Sequence, residues 1–139
     1  MRLLHLIFLN LAKLPMSGYK FRPFFIKMAG VRVVDYKSVF IGEGVRFDTL
    51  YPFEIVIEEG ASIATNSVIL THYYNPRTEK YSHGEVKIGA HAFLGANTII
   101  TKPVSIGESA VVGAGSVVTK DIPAREIWAG NPARCIGKK

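Results

Sequence analysis

Large aliphatic residues recur at an interval of six through the second half of this chain, at Ile88, Leu94, Ile100, Ile106, Val112 and Val118. The run reads IGAHAF, LGANTI, ITKPVS, IGESAV, VGAGSV, VTKDIP. Each unit opens on one aliphatic residue and carries a small residue or valine four positions later, at Ala92, Thr98, Val104, Ala110 and Ser116. A helix repeats its apolar face every three to four residues and an ordinary strand every two, so a period of six fits neither. It is the signature of a parallel β-helix, in which each unit is one short strand and one turn and equivalent residues stack on successive coils. Glycines follow the inward residue at 89, 95, 107 and 113, and are expected to serve sharp corners where a side chain is penalised.

The same spacing holds earlier, at Ile57, Ile63 and Ile69, and IGEGVR from Ile41 is a further unit. The expected fold class is therefore all-β: a hexapeptide-repeat β-helix over residues 41–139, preceded by a helical segment over residues 1–40 and closed by a C-terminal tail. The rhythm breaks over residues 71–87, where THYYNPRTEKYSHGEVK is polar and aromatic and contains the turn signal Asn75-Pro76. A long excursion from a repeating scaffold is where function is expected to sit.

A chain of 139 residues supports one core, and a solenoid this short leaves strand edges and flat faces that favour self-association. The lone Cys135 excludes an intrachain disulfide and suits a reducing, cytoplasmic compartment. The formal net charge of +6 suits a polyanionic ligand, nucleic acid or an acidic membrane surface equally. No aromatic platform motif or zinc-finger spacing supports nucleic acid as the partner.

The N-terminal MRLLHLIFLNLAK begins like a secretory signal, yet His5 and Asn10 interrupt it, no small-x-small cleavage site follows, and it is too short to span a bilayer. Residues 2–13 and 19–29 read as short helices that pack on the β-helix or on a neighbouring subunit. Because Lys13, Lys20, Arg22 and Lys27 interleave with large apolar residues, peripheral contact with the inner face of a membrane is the alternative.

From Ile57 to Lys138 the chain resembles the hexapeptide-repeat acyltransferases, in particular the sugar O-acetyltransferase branch with galactoside, maltose, and capsule or O-antigen acetyltransferases. IGESAVVGAGSVVTKDIP followed by WAGNPAR carries the resemblance most specifically. It implies a left-handed coil, contrary to the usual crossover rule, a homotrimer, and acetyl-coenzyme A bound between adjacent subunits for direct transfer to a sugar hydroxyl, without a metal.

The resemblance also assigns roles. His72, following SVILT, is the general base, able near its ordinary pKa of about 6.5 to take the acceptor proton and return it to the departing thiolate. The N–H of Ala96, in LGAN, is the oxyanion donor. Phe93, Gly95, Ala96, Gly113, Ala114 and Thr119 lie along the coenzyme arm, and Lys120 and Arg134 meet its phosphates through charge-assisted hydrogen bonds. Tyr73, Tyr74, Asn75, Arg77 and His83 in the excursion are expected to contact the acceptor. Asp48, in VRFD, stands where the family commonly has asparagine, and an anion there would orient His72 and raise its pKa. Phe93 replaces a usual tryptophan, and Gly137 a position that is often basic. The acceptor thus stays open between a sugar, serine and a drug hydroxyl.

Two other classes share the scaffold. A γ-type carbonic anhydrase would use three zinc-binding histidines, inviting comparison with His72, His83 and His91, although their spacing does not match that family's ligands. A non-catalytic assembly module is the other.

Overall fold

In a computed structural model of the chain, residues 2–14 and 18–139 are described. Two helices open it, α1 (Arg2–Lys13) and α2 (Gly18–Met28). Leu9 and Ala12 of α1 and Ile26 of α2 are buried, with Phe8 and Phe25 packed against them. The buried Arg22 locks the helices to the body: its Nε donates to the Ala12 carbonyl at 3.0 Å and its Nη1 to the Ile41 carbonyl at 2.8 Å. The first of these brings a side-chain donor to a carbonyl in the last turn of α1. Beyond α2, Gly30 takes φ +98°, while Val31 N–H reaches the Ile26 carbonyl and Gly30 N–H the Lys27 carbonyl. This pattern of helix termination favours glycine at its left-handed residue.

The remainder winds around a three-faced core. The first face holds Arg32–Val33, Ile55–Ile57, Val86–Ile88 and Ser105–Ile106, all parallel. The second holds Phe40–Ile41, Ser62–Ile63, Phe93–Leu94, Val111–Val112 and Glu126–Gly130, and the third holds Arg46–Phe47, Val68–Ile69, Ile99–Ile100 and Val117–Val118. In the two-residue strands the second residue points inward. Ile41, Ile63, Leu94 and Val112 stack on one face, and Ile69, Ile100 and Val118 on another, all at 0 % exposure. Each such side chain contributes roughly 1.5–3 kcal/mol relative to an exposed one, which is why the interval is strict. The small residues four positions on, including Thr98 and Ser116, are buried at the corners, where their hydroxyls donate to the Gly95 and Gly113 carbonyls at 2.7 and 2.6 Å.

The glycines do not serve the bends assigned to them. Gly89, Gly95, Gly107 and Gly113 are absent from the left-handed region, which at the corners is occupied instead by Gly44, Gly60, Asn66, His91, Asn97, Ser109, Gly115 and Arg125. What excludes a side chain at Gly95 is the next coil, since a Cβ there would lie 2.5 Å from the Ala114 nitrogen; at Gly89 it would lie 2.7 Å from the Ile106 carbonyl oxygen. The coil also starts before the six-residue rhythm does: Arg32–Val33 pairs with the first face, ahead of Ile41. The tail is an ordered antiparallel hairpin, Glu126–Gly130 with Ala133–Lys138, extending the second face.

Register shows where the coil departs from regularity. Leu94 and Val112, 18 residues apart, are partners, as are Ile100 and Val118. In earlier coils the partners are Phe47 with Ile69, 22 apart, and Ile69 with Ile100, 31 apart. In both cases the extra residues lie at the corner between the third and first faces. One insertion is the turn over residues 48–54, and the other is the antiparallel hairpin His72–Asn75 with Lys80–His83. Two bulges from one corner of successive coils meet, and the candidate site lies between them.

Candidate active site

Stacking of Phe47 on Ile69 places Asp48 beneath the start of the hairpin, and the Asp48 N–H donates to the Ile69 carbonyl at 2.9 Å. Its buried carboxylate is fully engaged. Oδ1 accepts from the Leu50 N–H at 2.8 Å, shaping the turn, and Oδ2 accepts from the Thr71 N–H and hydroxyl at 3.0 and 2.8 Å. His72 Nδ1 lies 2.5 Å from the same Oδ2. Burial alone would raise this carboxyl's pKa, but the hydrogen bonds from Leu50, His72 and Thr71 outweigh it and hold the pKa down at about 2. An ionised carboxylate only accepts, so His72 carries its proton on Nδ1 and presents the Nε2 lone pair outward. Nε2 has no hydrogen-bond partner among the described residues, and the side chain is 30 % exposed.

A second histidine–carboxylate pair stands alongside. His83 faces His72 across the hairpin, and its Nδ1 lies 2.8 Å from Glu54 Oε1. The Tyr51 ring stacks flat on His83 with centroids 4.0 Å apart and meets His72 edge-on at 6.4 Å. Glu54 Oε2 is buried without a partner among the described residues. Leu50, Tyr51, His72, Tyr81, Ser82 and His83 line a hollow of about 380 Å³. A second hollow, of about 310 Å³, opens on the other side of His72 along the third face, beside Arg46, Val68 and Leu70.

Every third residue of the inserted turn, Asp48, Tyr51 and Glu54, therefore addresses a histidine. Leu50, Pro52 and Phe53 between them line a larger apolar cavity of about 660 Å³ beneath α1, closed by Leu4, His5, Phe8 and Met28. Burial lowers the His5 pKa, so this wall favours the neutral imidazole.

The structure brings together His72, Asp48 and His83 of the sequence-predicted residues. It does not bring the others to this hollow. Tyr74 packs edge-on against Tyr81 at 5.3 Å on the outer part of the hairpin, and Asn75 accepts from the Arg77 N–H within its turn. Tyr73, Tyr74, Asn75 and Arg77 do not line the hollow within this chain. Gly95, Ala96, Gly113 and Ala114 lie at a different corner, between the second and third faces, following the strands that end at Leu94 and Val112. The Ala96 carbonyl accepts from the Gly115 N–H at 2.8 Å, fixing one coil against the next, while no bond from the Ala96 N–H is found among the described residues. Thr119 and Lys120 return to the histidines' corner two coils beyond the hairpin, Phe93 faces outward on the second face, and Arg134 lies on the final hairpin. His91 sits at the third corner, and no group of three or more potential metal ligands forms among the described residues.

Tyr51, Glu54, Leu50, Tyr81 and Ser82 escaped the sequence reading. A signal existed in TLYPFE, which separates two regular units and places Tyr and Glu three and six residues after Asp48.

Residues 85–120 match the family described as the hexapeptide repeat of succinyl-transferase. The chain is 41 % identical over 115 residues to the probable serine acetyltransferase 5 of Oryza sativa subsp. japonica, covering 81 % of this chain and 33 % of that protein. Its fold is similar to that of a maltose O-acetyltransferase from Clostridium difficile 630, at TM-score 0.65 and 26 % identity over 99 % of this chain and 85 % of the other. It is likewise similar to a galactoside acetyltransferase solved in complex with coenzyme A, at TM-score 0.69 and 23 % identity over 99 % and 80 %. The chain spans a third to about half the length of the curated relatives it matches.

Proposed function

We propose that this chain, which belongs to the hexapeptide-repeat acyltransferases, transfers acetyl from acetyl-coenzyme A to a hydroxyl of a sugar. The observation that carries the reading is the 2.5 Å pair of His72 Nδ1 with an ionised Asp48, which leaves Nε2 as a free base over a hollow. His72 accepts the acceptor's hydroxyl proton on Nε2 as the oxygen attacks the thioester carbonyl. When the C–O bond has formed and the C–S bond breaks, His72 returns that proton to the thiolate. Asp48 positions the imidazole and stabilises its charged form between the two transfers. The Ala96 N–H receives the developing oxyanion.

His72 and Ala96 flank opposite edges of the third face, so the reading requires a trimer of left-handed coils in which one subunit's His72 meets another's 95–97 corner. The surface there suits an extended pantetheine arm. Ala114 and Gly115 are exposed, a Cβ on Gly115 would meet nothing within 4 Å, and Lys120 is exposed beyond them to meet phosphate. Tyr51, Tyr81, Ser82 and His83 offer a ring face and hydroxyl and imidazole groups suited to a sugar ring.

The test is thiol release from acetyl-coenzyme A against a panel of mono- and disaccharides, glycosides, serine and hydroxylated drugs. Turnover with sugars, lost by roughly 10²- to 10⁴-fold in His72→Ala, is the expected result. Turnover with serine alone would replace the acceptor, and normal turnover in His72→Ala would remove the mechanism.

A further inference from the structure

The chain's charge is distributed unevenly. Its first acidic residue is Asp35; before it stand Arg2, Lys13, Lys20, Arg22, Lys27 and Arg32. The other 11 Lys and Arg are matched by all 11 Asp and Glu, so the net charge of +6 belongs entirely to the first 34 residues. Arg22 is buried against backbone carbonyls, and Arg32 pairs with Glu85 at 2.6 Å. Lys13, Lys20 and Lys27 are exposed on the two helices.

The same helices face away from the body with the wrong polarity for water. α1 buries Leu9 and Ala12, so a surface helix would place polar residues opposite. The opposite side instead carries Leu3 at 73 % exposure, with Leu6 and Ile7 also exposed, and α2 adds Phe21 at 62 % and Phe24. Large apolar side chains flanked by lysines, without a single carboxylate on either helix, suit one environment: apolar groups entering the acyl boundary while the cations stay among anionic headgroups. Nucleic acid would satisfy the lysines and leave the leucines and phenylalanines wet.

We propose that the α1–α2 hairpin docks this protein on an anionic lipid bilayer, lying in the interface rather than crossing it. No helix among the described residues is long and apolar enough to cross. Opposite charge draws the helices to the surface, and burial of Leu3, Ile7, Phe21 and Phe24 holds them there. The docking face adjoins the mouth of the apolar cavity, because Leu4 and Met28 belong to both.

The test is co-sedimentation of the full chain with vesicles of phosphatidylglycerol and phosphatidylcholine, and with phosphatidylcholine alone. It is read without turnover, so it succeeds or fails independently of the acetyl-transfer reading. Binding to the anionic vesicles, weakening as salt rises from about 0.05 to about 0.5 M, is expected. Each cation near an anionic surface contributes about fivefold, so Lys13→Gln with Lys27→Gln should weaken binding about 25-fold. Leu3→Ser with Phe21→Ser, both exposed here, should weaken it tenfold or more with an unchanged melting temperature. Absence of binding to anionic vesicles, or equal binding to both compositions, overturns the proposal. So does a change in oligomeric state on Phe21→Ser without loss of vesicle binding, which would make this face a contact between copies.

Discussion

His72 and Asp48 stand 24 residues apart in sequence and 2.5 Å apart in space, joined because one coil of the β-structure lies directly on the next. A neighbouring carboxylate fixes both the ring's orientation and its tautomer. Asp48→Asn keeps the shape and removes that preference, since the amide can donate to Nδ1 and drive the proton to Nε2. Turnover of Asp48→Asn should fall by roughly 10²- to 10⁴-fold with little change in KM for acetyl-coenzyme A. Steady-state kinetics would expose a merely structural Asp48 by leaving kcat near wild type.

The same carboxylate makes stability depend on acid. Its folded pKa of about 2 lies below the ordinary 3.8, so its contribution is fully present above about pH 4 and is lost as pH falls through 2. The amount is about 2 kcal/mol, order of magnitude. Urea midpoints measured from pH 6 downward should show the wild type losing this increment near pH 4 to 2. Asp48→Asn should start lower and lack that step; superimposable curves would contradict it.

His72 and Ala114 lie at different corners and on different coils, which makes the proposed sharing of a site between subunits testable by mixing. His72→Ala should be inactive. Ala114→Trp, at an exposed position where bulk obstructs the proposed coenzyme path, should be inactive too. Trimers co-assembled from both in equal amounts contain intact sites at one interface in four on average, so about a quarter of wild-type activity should return. No recovery in verified mixed trimers would place the whole site within one subunit.

Two glycines separate contact between coils from backbone conformation. At Gly95 a Cβ would lie 2.5 Å from the Ala114 nitrogen, whereas Gly115 has φ +71° and nothing within 4 Å. Gly95→Ala forces successive coils apart and should cost about 3 kcal/mol. Gly115→Ala meets only the left-handed penalty, about 1–2 kcal/mol. Chemical denaturation of the two variants gives the order, and the reverse order would show that corners rather than coil contact set these positions.

Lys120→Ala and Arg134→Ala test the nucleotide end of the proposed donor. Contacts to phosphate remote from the carbonyl act almost equally on ground and transition states, so KM for acetyl-coenzyme A should rise about five- to hundred-fold with a smaller change in kcat. The effect should shrink with salt. Unchanged KM in both would move the donor to another surface.

The coil was legible because burial alone dictates it: Ile63, Leu94 and Val112 occupy one dry column, and nothing but a large aliphatic residue at a fixed interval fills it. The excursion was legible because it interrupts that interval, and His72 was singled out within it by the resemblance to the acyltransferases. Tyr51 and Glu54 were not, since their partner His83 lies some thirty residues away and is reached through the register of two insertions, which spacing within either one does not reveal. The Arg22 tether was hidden for a related reason. An arginine among phenylalanines reads as a solvated cation until the carbonyls of Ala12 and Ile41 are brought to it.

The turn over residues 48–54 is a short arch with two working sides. Its front holds Asp48, Tyr51 and Glu54 against the histidines, and its back turns Leu50, Pro52 and Phe53 toward the apolar cavity. Because the two sets alternate along one strip of backbone, a single insertion or deletion rotates both at once and uncouples each carboxylate from its histidine. Side chains at the back of the arch can therefore be exchanged one at a time, whereas any change in its length disturbs both sides together.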